Sequence, residues 1–209
     1  MSILNQIKED LMKGKAPEVK AAVEQALNEN IGAGDILNKG LLAGMGDIGE
    51  RFKKNEVYVP EVLIAARAMK AGMEVLKPHL VAAGVQPLAT AVIGTVKGDL
   101  HDIGKNLVGM MLEGAGFRVV DGGIDVPPEK FIELARTHGA SVIGVSALLT
   151  TTMTNMKLVV DAVKESGIAC KVIIGGAPVT QAYSDEIGAS GYAPDAASAA
   201  DLAKKLCAA

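Results

Sequence analysis

The chain has 209 residues, 49% of them hydrophobic, enough to bury one large core or two small ones without disulfide or metal staples. A formal net charge of −3 with no basic block argues against a nucleic-acid surface, and no apolar run reaches the roughly 20 residues a membrane span needs. Cys170 and Cys207 are too isolated for a disulfide framework or a zinc pattern, and the mixed-charge start Met1–Lys15 lacks the apolar stretch of a signal peptide, so a cytoplasmic protein is expected.

The first part of the chain reads as helices. Ile3, Leu4, Ile7 and Leu11 recur at helical spacing over Ile3–Met12, and Pro17 suits the first turn of a second helix reaching Asn28. Asp35 is a candidate N-cap for a third helix, Ile36–Phe52, and Pro60–Leu76 is a fourth. Four amphipathic helices with short connections predict a bundle. Lys77–Pro87, with Pro78, Gly84 and Pro87, reads as a linker. The expected domains are therefore 1–87, helices with linker, and 88–209.

After the linker the period changes. Apolar strand runs at Leu88–Val96, Phe117–Val120, Ser141–Val145, Val172–Ile174 and near Tyr192 alternate with helical runs at Ile103–Leu112, Pro128–His138, Thr152–Glu165, Ala182–Ile187 and Ala196–Leu206. This alternation predicts an α/β architecture, a doubly wound, five-stranded parallel sheet of flavodoxin-like, Rossmann type.

Ligands of such sheets bind at the carboxyl ends of the strands. Four loops converge there: Gly98–Gly104, Ser146–Thr152, Gly175–Pro178 and Gly191–Asp195. The first holds His101 with Asp99 two residues before it, the basic unit of a tuned metal ligand or acid–base site. Plainer readings stand beside this one. Asp99, Ser146 and Thr150–Thr152 could be helix caps, and Gly175-Gly176 could only let the chain turn. A G-x-G-x-x-G phosphate loop is absent after the first strand. Small residues around one histidine suit a large flat ligand with a metal better than a dinucleotide.

Asp99-Leu-His101-Asp102-Ile103-Gly104 is a D-x-H-x-x-G signature, Ser146-Ala-Leu148 an S-x-L element and Gly175-Gly176 a G-G element. In this order the chain resembles the corrinoid (cobalamin-binding) proteins of methyltransferase systems, relatives of the cobalamin module of methionine synthase. Met45–Phe52 and Tyr58–Val62 resemble that family's capping helices. The resemblance implies cobalamin, with its cobalt, as cofactor and His101 as lower axial ligand in place of the cofactor's own base. It implies Asp99 as partner of the other imidazole nitrogen and Thr152, where methionine synthase has serine, as the far end of a proton relay. Asp102, Ile103, Gly104, Ser146, Leu148, Thr150, Gly175, Gly176, Tyr192 and Ala193 would line the cofactor and its nucleotide tail, with Phe52, Val59 and Val62 facing it from the helical cap.

The resemblance further implies a methyl carrier that is inactive alone. A substrate-specific methyltransferase would load it, a second methyltransferase would pass the methyl group to a pterin or thiol, and a reductive activation protein could maintain the cobalt. Nucleic-acid and membrane partners are not expected. A cobalamin-dependent sensor shares both modules but usually adds a DNA-binding domain and a lid tryptophan, neither of which this sequence has. An isomerase subunit would lack the helical cap, and a flavodoxin- or receiver-like domain would leave the three matched loops unexplained.

Overall fold

A computed structural model describes residues 2–208, which divide into two units at Pro87/Leu88. Helix α1 (Ile3–Met12) starts where the Ser2 hydroxyl accepts the Asn5 N–H at 3.3 Å, and it buries Ile7 and Leu11. Helix α2 (Ala16–Asn28) carries Pro17 in its first turn, as predicted, and buries Val19, Ala22, Val23 and Ala26. The third helix begins earlier than expected. A short turn, α3 (Ala33–Asp35), passes into a π-helical stretch, Ile36–Leu42, and then into α4 (Ala43–Lys53). Asp35 is consequently inside the helix and caps nothing; its carboxylate pairs with Lys39 at 2.9 Å, one turn on.

Helix α5 (Val59–Ala82) opens with Pro60, and the Glu61 carboxylate reaches back to the Tyr58 N–H at 3.0 Å. It overruns the predicted end. Most of the expected linker is helical because Leu76 and Leu80, one turn apart, are both buried in the bundle and hold the chain in register past Pro78. Pro78 lacks an N–H for the Glu74 carbonyl, a local loss that burial of the two leucines outweighs.

The second unit holds five parallel strands, β1 (Thr90–Thr95), β2 (Arg118–Asp121), β3 (Val142–Ser146), β4 (Lys171–Gly175) and β5 (Gly191–Tyr192), in the order β2-β1-β3-β4-β5. Helices α6 (Ile103–Gly114) and α11 (Ala196–Ala208) pack together, as do α7 (Pro128–His138) and α9 (Asn155–Ser166). The single turn α8 (Thr150–Met153) precedes α9, and α10 (Gln181–Ile187) follows β4. Val92, Ile143, Val145 and Ile174 from the strands meet Phe131, Met156 and Val160 from the helices in one core. Valine and isoleucine dominate because both faces of a parallel sheet are covered. The doubly wound α/β expectation is met.

The strand order fixes where a site can form. The chain leaves β1 toward one edge to make β2, then returns to place β3 on the other side of β1. In sheets of this order ligands bind at the carboxyl ends of the strands beside this switch point, between β1 and β3. The loops after β1 and β3 carry His101 and Leu148.

Candidate functional site

Asp99 organises the loops at the switch point. Its side chain is fully buried at the end of the β1 loop. Oδ1 accepts the His101 backbone N–H at 3.1 Å and faces His101 Nδ1 at 2.7 Å. Oδ2 accepts the Thr152 hydroxyl at 2.6 Å and the Leu148 N–H at 2.8 Å, with the Leu149 N–H at 3.4 Å. One carboxylate thus ties the loop after β1 to the loop after β3. Burial is the largest single influence on this carboxyl and pushes its pKa upward. The Thr152 hydroxyl, the Leu148 N–H and the two His101 donors together outweigh burial and hold it well below the usual carboxylate range.

That ionisation state settles the imidazole. A carboxylate only accepts, so Nδ1 must carry the proton and, in the neutral ring, Nε2 keeps a free lone pair. The His101 side chain is 50% exposed while its carboxylate partner is 0% exposed, so the ring is anchored on one edge and open on the other. The Thr95 hydroxyl, itself buried, donates to the His101 carbonyl at 2.8 Å and pins the loop from below. Thr152 Oγ1 lies 2.6 Å from Asp99 and 3.0 Å from the Leu149 carbonyl; it has one proton for two acceptors, and the charged one is nearer. Thr152→Val should therefore cost about 1–3 kcal/mol and Thr152→Ser much less, measured by urea unfolding.

The surroundings of the imidazole are exposed and apolar. Leu100, Ile103, Leu148 and Leu149 are 67%, 76%, 44% and 43% exposed. Asp102, Gly104 and Thr150 are also exposed, Ser146 and Tyr192 are half-buried, and Ala193 is buried. Gly175 and Gly176 sit where backbones approach closely. A Cβ on Gly176 would stand 1.8 Å from the Ala147 carbonyl oxygen and one on Gly175 would stand 3.0 Å from that of Ala193, so two backbones occupy the space. Gly176 also has φ +134°, which other residues rarely adopt. In the helical unit, Phe52 and Val59 are half-buried and Val62 is fully buried in the bundle.

Several contributors escaped the sequence reading. The Asp125 carboxylate accepts the Gly98 N–H at 2.7 Å, and the Asn155 side chain donates to the Lys97 carbonyl at 2.7 Å. Lys105, 3% exposed, joins α6 to Asp121 at the end of β2 at 2.6 Å. Burial raises the pKa of Cys170 and Cys207, the opposite of what a reactive thiol needs.

The donor set bears on what metal could sit here. Among the described residues no group of three or more His, Cys, Asp or Glu side chains could hold an ion. A metal held at His101 would have to take most of its other ligands from outside these side chains. One oriented imidazole among exposed apolar side chains fits a metal that arrives with its own organic ligand. Among the described residues no helix is long and apolar enough to cross a membrane.

Comparisons with known proteins agree with this geometry. Models of the B12 binding domain match residues 89–201 and, with a second such domain, residues 3–77. A dimethylamine corrinoid protein of Methanosarcina barkeri is 44% identical over 209 residues, covering 99% of this chain and 98% of that protein. The methanol:cobalamin methyltransferase complex of the same organism contains a chain of 30% identity and TM-score 0.89, covering 99% of this chain and 80% of that one. A cobalamin-binding protein from Desulfitobacterium hafniense DCB-2 gives TM-score 0.80 at 30% identity, covering 97% and 98%. With family models over both units and relatives aligned along nearly its whole length, the chain belongs to the B12-binding corrinoid proteins, and its cofactor is a cobalamin-type corrinoid with its cobalt.

Proposed function

We propose that this protein is the methyl-carrying corrinoid subunit of a methyltransferase system and that His101 Nε2 is the lower ligand of the cobalt, in place of the cofactor's own base. The observation that carries the reading is the Asp99 contact, which leaves Nε2 free on the open edge of an otherwise anchored ring. Bound cobalt supplies the group that takes up a methyl cation equivalent and later yields it to an acceptor. The protein's own residues do the rest. Asp99 fixes the tautomer and raises the basicity of the imidazole, as carboxylate partners of metal-bound histidines do. The Thr152 hydroxyl extends the hydrogen-bonded line by one group and, by donating to Asp99 Oδ2, holds the carboxylate ionised and aimed at the imidazole. Leu100, Ile103, Leu148 and Leu149 offer the corrin an apolar bed. Asp102, Gly104, Thr150, Ser146, Gly175, Gly176, Tyr192 and Ala193 border it.

Two partner enzymes follow from a carrier role: one that loads the methyl group and one that passes it to a pterin or thiol, with a reductive activator for oxidised cobalt. Relatives named for dimethylamine and methanol make a methylated amine or alcohol the first donors to try. The test is anaerobic reconstitution with hydroxocobalamin, followed by paramagnetic resonance of the Co(II) form. The wild type should show the three-line splitting of one axial nitrogen of histidine, confirmed by ¹⁵N-histidine labelling. His101→Ala should lose it, with a melting temperature within a few degrees of wild type because the side chain is half exposed. A wild-type signal insensitive to ¹⁵N-histidine would sink the ligand assignment, and methylation of the bound cobalt by a donor-specific methyltransferase tests the carrier role.

A further inference from the structure

We infer that Asp125 is a positioning residue for the Asp99–His101 pair. It lies in the loop between β2 and α7 and touches the β1 loop twice. Its Oδ1 accepts the Gly98 N–H at 2.7 Å, and its own N–H donates to the Asp99 carbonyl at 3.1 Å. Asp125 thereby brackets the peptide bond that carries Asp99. It does so from a left-handed conformation, φ +53°, which a residue other than glycine adopts at a cost. Gly98 answers with φ +82°. The same strip of loop is held on its other side by Asn155, which donates to the Lys97 carbonyl, and below by the bonds Thr95 N–H to Gly123 O at 3.0 Å and Val126 N–H to Thr95 O at 2.9 Å.

The consequence is mechanical. Asp99 already receives donors from His101, Thr152, Leu148 and Leu149, all of which set where its carboxylate points relative to the β3 loop. Only the backbone on either side of Asp99 sets where the carboxylate starts from. Asp125 is the one side chain that reaches that backbone from the β2 side among the described residues. Without its acceptor, the Gly98 N–H turns to water and the Asp99–His101 segment gains freedom, so the imidazole is still present but no longer held to one tautomer and one tilt. Asp125 does not touch the ligand; it acts through Asp99.

The inference rests on the reading of His101 as the cobalt ligand for its functional meaning, but its test has an arm that does not. Three variants separate the two things Asp125 does. Asp125→Asn keeps a side-chain oxygen and tolerates the left-handed backbone. Asp125→Gly keeps the backbone at no strain and removes the acceptor. Asp125→Ala loses both. In cofactor-free protein, ¹H–¹⁵N correlation spectra of the His101 ring report the tautomer directly. Wild type and Asp125→Asn should show a single Nδ1–H form, whereas Asp125→Gly and Asp125→Ala should show averaged ring nitrogen shifts. In protein reconstituted with hydroxocobalamin and reduced to Co(II), the ratio of histidine-bound to unbound cobalt should fall by about fivefold in Asp125→Gly and be restored in Asp125→Asn, the change expected from loss of one ordinary hydrogen bond. A glycine variant with the wild-type tautomer and wild-type ratio overturns the inference, as does an asparagine variant as impaired as glycine. If wild type itself shows no histidine nitrogen on cobalt, the ligand reading fails while the cofactor-free comparison still decides whether Asp125 positions the ring.

Discussion

Asp99→Asn is expected to lower stability at pH 7 by about 3 kcal/mol and corrinoid affinity by roughly 10–100-fold. The amide is close to isosteric, so packing changes little; what changes is the count of acceptors. Four donors arrive at two oxygens in the wild type, from His101 twice, Thr152 and Leu148, with Leu149 at longer range. In the variant one oxygen becomes an NH₂ group that meets N–H or O–H groups head-on in a buried place. The imidazole can escape only by adopting the other tautomer, which puts the proton on Nε2 and removes the lone pair that a metal needs. The stability loss should depend on pH in a definite direction. The carboxyl's ordinary value is 3.8 and its folded value lies well below that, so its contribution is complete above the ordinary value and is lost as the pH falls toward the folded one. Urea unfolding at pH 7 and pH 3 should show the gap between wild type and Asp99→Asn narrowing in acid. A gap that widened in acid would overturn the sign.

Gly176→Ala should be the most damaging methyl addition in the second unit, at 4 kcal/mol or more by the order-of-magnitude scale for severe core defects, that is, about enough to abolish soluble expression. The added Cβ would overlap the Ala147 carbonyl oxygen at 1.8 Å, and the peptide unit that carries this oxygen cannot easily swing away because its Leu148 N–H is held by Asp99 Oδ2 at 2.8 Å. Gly104→Ala is the control. A Cβ there meets nothing within 4 Å and the residue sits in the first turn of α6, where alanine is the better helix former. It should fold with unchanged or slightly higher stability, so any loss of corrinoid binding in Gly104→Ala reads out contact with the ligand. Equal, mild effects at both positions, measured by soluble yield and thermal unfolding, would contradict the backbone contact.

The parts of this protein that were legible in its sequence are those decided within a few residues. Helix Pro128–His138 is bounded by a proline at its start and by Gly139, left-handed at φ +61°, at its end, and its predicted limits coincide with the observed ones. Asp99 and His101 were legible as a pair because their contact spans two residues. Lys77–Pro87 misled because a proline is a local signal, whereas the burial of Leu76 and Leu80 that carries α5 onward is set by the other helices of the bundle. Asp35 misled in the same way, since a cap and an interior salt-bridging residue look alike until the helix start is known. Asp125 and Asn155 were invisible because their partners lie 27 and 58 residues away, across loops that only the finished sheet brings together. The Gly175–Gly176 pair was seen, but the reason for it was the approach of two backbones, which no local pattern encodes.

The span of the Asp99 contacts has a consequence for how the protein is made. The carboxylate reaches Leu148 and Thr152, 49 and 53 residues further along the chain, and those partners arrive only when β3 has docked beside β1. A nascent chain that has emerged through α7 therefore holds the histidine on a loop whose anchor has lost its distal donors. On the proposed reading of His101, a nascent chain is expected to become competent for ligation only once β3 and the turn after it can dock. Ribosome-stalled chains ending before and after that point would mark the step at which a corrinoid can first be captured.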